Sequence, residues 1–228
     1  MTTQILERPV EHRVRSDSSS ARVETAVTSG LRTDFDIDTE LNMLTRAKPE
    51  FIGDRDELGQ RIMQSAVSDD GETFAVKCRA VSLATDFATP MRSMLLTLSS
   101  AFGGISATIS PSLNLNTWPA MDQLVSALEE AGAGELWQPV GERSIAIGAA
   151  RHVFVSVDNP IRDDSTRVFP NMLIEVVGAH MIDPDWFDRT VAPRCQDESL
   201  TFVFYGQAGF PGSLFERAWE ESQIRGQV

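Results

Sequence analysis

Apolar residues recur along this chain in two rhythms, and the switches between them mark its elements. Leu58, Ile62, Met63 and Val67 follow the helical period behind a D-x-x-E capping pair, Asp54 with Glu57. Thr89-Pro90 predicts a second helix start, with Met91, Met94, Leu95, Leu98 and Phe102 as an inward stripe that ends at Gly103-Gly104. Thr117-Trp118-Pro119 opens a third, which turns Met121, Leu124, Val125 and Leu128 inward and stops at Gly132. Asp183-Pro184 opens a fourth, carrying Trp186, Phe187 and Val191. Ser213 with Glu216 opens the last, with Leu214, Phe215, Ala218 and Trp219 facing the core.

Between these helices lie short β-branched and aromatic runs. Phe74 to Leu83, Ile105 to Ile109, Ser144 to Gly148, His152 to Asp158, Met172 to Val177 and Leu200 to Tyr205 read as strands. Ala149-Ala150-Arg151 is placed to close a hairpin. The order of elements is not a regular βαβ alternation. It predicts a single α+β domain with a mainly antiparallel, possibly mixed sheet and helices packed on one face.

Residues 1–33 carry no such rhythm. Five arginines and four acids leave them near neutral, and Ser16-Asp17-Ser18-Ser19-Ser20 is polar throughout. Composition of this kind buries too little surface to offset ordering, so a mobile tail is expected, with folding onto a partner as the alternative. Residues 34–228 are expected to form the α+β domain.

Charge narrows the partners. The 228 residues carry a formal charge of −13, which repels phosphate backbones and anionic lipid and disfavours nucleic acid. No apolar run approaches the ~18–20 residues that cross a bilayer. Two cysteines, Cys78 and Cys195, are too few for a disulfide framework, and the first residues lack the apolar core of a secretory signal. The cytoplasm is the expected location. Lysines are scarce against arginines, which points to GC-rich bacterial coding.

The motifs that usually carry chemistry are missing from the sequence. There is no G-x-x-x-x-G-K-[ST], no G-x-G-x-x-G after a strand, no G-x-S-x-G, no H-E-x-x-H and no C-x-x-C. Asp34-Phe35-Asp36-Ile37-Asp38 offers hard oxygen donors, but a solvated acidic start to a helix is the simpler reading. Proton-transfer chemistry retains three candidates. His152 shares a strand face with Phe154, Ser156 and Asp158, opposite the valines Val153, Val155 and Val157, a face expected to be polar and exposed. Glu175 is the one acid in the apolar run Met172–Val177. His180 follows that strand at an end where ligands often bind.

Tyr205 to Ser213 is the glycine-rich link between a strand and a helix. Tyr205, Gly206, Gly209, Gly212 and Ser213 are its candidate ligand-binding residues, because glycines admit close approach and the next helix offers its amino end. If the 172–177 and 200–205 strands are parallel neighbours, His180 and this loop share an edge; if antiparallel, they separate.

The expected function is small-molecule binding, as an enzyme of bacterial specialised metabolism if His and Glu transfer protons. No cofactor is indicated. The alternative is a non-catalytic acidic module, an accessory or inhibitor protein for a basic partner, or a structural subunit of an assembly. A pocket where the named polar groups converge marks the first; a continuous apolar or acidic patch marks the second.

Overall fold

A computed structural model describes residues 55–68, 71–159, 170–195 and 199–225. The tail at 1–33, the acidic run at 34–38 and the cap Asp54 lie outside the described residues. The elements are α1 (Arg55–Ser68), β1 (Thr73–Lys77), α2 (Val81–Leu98), β2 (Ile105–Ser110), α3 (Trp118–Glu130), β3 (Trp137–Pro139), β4 (Ser144–Ile147), β5 (Ala150–Ser156), β6 (Leu173–Val177), α4 (Pro184–Thr190), β7 (Thr201–Gly206) and α5 (Leu214–Arg225).

One seven-stranded sheet in the order β1-β7-β6-β2-β5-β4-β3 forms the middle layer. β1, β7, β6, β2 and β5 run parallel, and only β3 and β4 pair antiparallel, so the sheet is mostly parallel and not mainly antiparallel. The difference has a physical source. β2 reaches its parallel neighbour β5 by way of α3, and β6 reaches β7 by way of α4, so strands that adjoin in space are separated in sequence.

Helices cover both faces. Ile62 and Ala66 of α1 and Val81, Ala84, Ala88, Met91 and Leu95 of α2 pack with Phe74, Val76, Leu173 and Val203 on one face. Leu124 and Leu128 of α3 continue that layer over Ile145, Ile147 and Phe154. The alternate residues Ile109, Ile174, Val176 and Phe204 meet Phe187 of α4 and Leu214, Phe215 and Ala218 of α5 on the other. Period-two alternation thus yields two cores, and the one-sided arrangement is corrected accordingly.

α2 departs most from its sequence pattern. The strand expected to reach Leu83 stops at Lys77, and α2 runs unbroken through Pro90. Val81, Ala84, Ala88, Met91 and Leu95 are all buried at helical spacing, and that burial outweighs the roughly 3 kcal/mol cost of an interior proline. The inward stripe divides as a result. Met91 and Leu95 are core, whereas Met94, Leu98 and Phe102 stand exposed at 56%, 56% and 65%.

α4 and α5 start at their caps, whereas α3 begins at Trp118 behind a π turn over Leu113–Thr117, with Pro119 in its first turn and no side-chain cap from Thr117. Asp183 accepts from the Asp185 amide at 2.9 Å, Pro184 takes the first turn of α4, and Glu216 N–H donates to Ser213 Oγ at 3.2 Å. Gly132 ends the α3 turn at φ +77°. The β4–β5 hairpin turns through Gly148-Ala149, one residue earlier than expected. Gly148 takes φ +56°, and a Cβ there would sit 2.6 Å from the Ser100 carbonyl oxygen.

Candidate functional site

In register across the sheet, the face beneath α2 carries a row of polar residues. Ser106 faces His152 from β2 to β5, Thr108 faces Glu175 from β2 to β6, and Tyr205 follows two residues after Val203, the β7 partner of Glu175. The expected exposed polar face of β5 is therefore buried: His152, Ser156 and Glu175 have no solvent exposure.

Arg92 descends from α2 and pairs with Glu175. Its Nε donates to Glu175 Oε2, which also accepts from the Thr108 hydroxyl at 3.1 Å. Tyr205 O–H donates to Oε1 at 3.1 Å. Thr108 Oγ1 lies 2.9 Å from His152 Nε2, and Ser106 Oγ lies 2.7 Å from Nδ1. These contacts fix the imidazole tautomer. Thr108 has one hydroxyl proton, and it goes to Glu175, so Thr108 must accept from an Nε2–H. Nδ1 then holds the lone pair and accepts from Ser106.

Burial agrees with this assignment. Desolvation, with the Arg92 charge as the smaller cause, holds the His152 imidazole well below its ordinary range and neutral. Burial also pushes the Tyr205 phenol well above its ordinary value, and the Glu175 charge adds to that shift. The phenol stays protonated and donates. Every group in the chain from Ser106 to Arg92 has its partner, apart from the two Arg92 Nη groups, which are buried and hydrogen-bond to none of the described residues. Arg92 was absent from the sequence-based candidates. Its signal is the one basic residue between Ala80 and Leu98, a stretch rich in apolar residues.

The other candidates gather at the carboxyl edge of the sheet. β6 and β7 are parallel neighbours. The Gln207 amide donates to His180 Nδ1 at 3.2 Å, and the rings of His180 and Phe210 are 5.0 Å apart. Nδ1 is thus occupied by the chain itself, and His180 is 1% exposed. Gln207 Nε2 ties the loop to the Arg79 carbonyl at 2.8 Å. Gly206 is a packing glycine, since a Cβ there would meet Phe215 at 2.6 Å. Gly209 and Gly212 take φ +94° and +70° in the exposed part of the loop. The Gly212 amide donates to Glu216, and Ser213 caps α5.

His152 and Glu175 are not brought to this edge; they lie in mid-sheet with Tyr205. Also at the edge, Ser156 donates to Asp158, which accepts the Leu113 amide at 2.9 Å as well. Among the described residues no three His, Cys, Asp or Glu side chains cluster as metal ligands, and no helix is long and apolar enough to cross a membrane.

A different concavity lies between α1 and α2, a groove of ≈ 590 Å³. Met63 and Val67 line it from α1, and Phe87, Met91, Met94 and Leu98 from α2. Val67, Met94 and Leu98 are each about half exposed, at 49%, 56% and 56%. Asp86 supplies the one charge in its lining.

No protein-family model matches the chain, and no curated protein matches it significantly. Among solved structures, the crystal structure of the HK97 bacteriophage large terminase superposes with a TM-score of 0.52 at 10% sequence identity. The match takes in 81% of this chain and 39% of that one. At this identity the likeness is one of fold. The chain spans about two fifths of its neighbour's length.

Proposed function

We propose that this chain is a non-catalytic interaction module that binds a protein partner in the α1–α2 groove. One observation carries the reading: the exposed apolar surface of α2 is continuous with a methionine-rich groove, while His152 and Glu175 are sealed beneath α2 and His180 is buried at the carboxyl edge. A general base must come within ~3 Å of the proton it takes. His152 and Glu175, without solvent exposure and hydrogen-bonded to each other's neighbours, offer no such approach. The turn from β1 to α2 supports the same reading. Cys78-Arg79-Ala80 has no glycine or lysine where a phosphate-cradling loop needs both, and Ala80 gives the helix no side-chain cap. Flexible thioethers suit a surface that accepts an apolar helix.

Thermal unfolding of the full chain tests this. The probes are a nucleotide and metabolite panel and a 14-residue helical peptide with leucines at one-face spacing and glutamines elsewhere. With a Kd near 100 µM, about 1 mM peptide raises Tm by roughly 3–6 °C, and Leu98→Asp removes the shift. A metabolite shift abolished by His180→Ala, or a peptide shift that survives Leu98→Asp, overturns the proposal.

A further inference from the structure

Resting on that reading of the groove, we infer that its occupant is a basic amphipathic helix of another protein. The groove's α2 wall runs from Asp86 to Leu98, about 18 Å at 1.5 Å per residue, which matches some three turns of a partner helix. Both walls repeat every four residues: Gly59, Met63 and Val67 on α1, and Asp86, Pro90, Met94 and Leu98 on α2. A helix laid between such ridges presents anchors at i, i+4 and i+7.

Charge selects among occupants. The lining carries one acid, Asp86, and no base; Gln60 and Gln64 are its remaining polar side chains. Arg61 of α1 is engaged by Glu72 at 4.0 Å and lies over the Phe74 ring at 5.7 Å. Glu57 is exposed one turn before Gln60. A second copy of this chain would carry the same acidic balance, a formal net charge of −13. The chain's own segment 34–48 has four acids against two bases, again the wrong sign. A partner helix with lysines or arginines beside its apolar anchors meets both the floor and the rim.

Three versions of the 14-residue peptide test the charge, with the non-leucine positions filled by Lys, Gln or Glu. Binding to the full chain is read by fluorescence anisotropy at ~50 mM and ~500 mM salt. At low salt the Lys peptide binds at least tenfold tighter than the Glu peptide, and the gap narrows several-fold at high salt as the screening length contracts. Asp86→Lys narrows the same gap without weakening the Gln peptide, and Leu98→Asp weakens all three. Equal affinities for the Lys and Glu peptides, or tighter binding of a peptide of residues 34–48, overturn the inference and leave the groove reading in place. Failure of the Gln peptide to bind overturns both.

Discussion

The Arg92–Glu175 pair allows a quantitative test of what the buried network contributes. Both side chains are fully buried, and neither can recover water if its partner is removed. Glu175→Gln keeps the shape but leaves the guanidinium charge uncompensated beneath α2. A buried ion left alone in this way costs about 3–5 kcal/mol. Arg92→Met strands the carboxylate, but the Thr108 and Tyr205 hydroxyls still donate to it, so the cost falls near the lower end, about 3 kcal/mol. The double substitution removes both charges, along with the two Nη groups that hydrogen-bond to none of the described residues. It should lie within about 1.5 kcal/mol of the parent, because a buried pair seldom outperforms a well-packed neutral replacement. Urea unfolding followed by tryptophan fluorescence reads each value, with an unchanged m confirming comparable transitions. The reasoning is refuted if either single change costs under about 1 kcal/mol, or if the double costs the sum of the two.

His152 is held neutral when folded but takes a proton below about pH 6.5 when unfolded. Its contribution to stability is therefore complete above pH 6.5 and declines as pH falls, by up to about 1.4 kcal/mol per unit; His152→Gln should flatten that slope in urea midpoints measured from pH 7 to 5. Gly59→Ala should raise stability by about 0.5–1 kcal/mol in thermal unfolding, since the added Cβ would meet Met91 Sδ at an ordinary 3.6 Å; a loss would mean that the helices close on each other there. Leu128→Ala should cost about 2–5 kcal/mol, whereas Leu98→Ala should cost under about 0.5, a contrast that calorimetry reads directly and that equal values would refute.

Caps were the most legible part of the sequence, because they act within four residues. Asp183-Pro184, Trp118-Pro119 and Ser213 with Glu216 each begin a helix where their chemistry places it. Strand runs were legible as runs, but their direction was not, since parallel and antiparallel partners share one alternating pattern. Pro90 misled for a related reason. A proline signals a first turn locally, and only the buried stripe from Val81 to Leu95 reveals a helix continuing through it. At the site, Glu175 stood out as the lone acid of an apolar strand, whereas its partner Arg92 was not among the sequence candidates. Nothing local links them, for they meet across 83 positions. Met94 and Leu98, the exposed half of the stripe, share the period of the core residues, because periodicity reports apolar faces without saying what covers them.

The parallel pairing of β1 with β7 also governs how this chain reaches its native state. β1 hydrogen-bonds to β7 alone among the described strands, and the Ser65 and Thr201 hydroxyls beside them meet across 136 positions. At ribosomal speeds of roughly 5–20 residues per second, the first of these positions waits about 7–27 s for the second to be synthesised. During that interval β1 has no strand to pair with, and Phe74 and Val76 have lost their cover from Val203. Loop closure over such a span precedes any reward from contacts, so folding is slow and comes late. A nascent chain stopped before Leu200 would present an unpaired apolar strand to its surroundings.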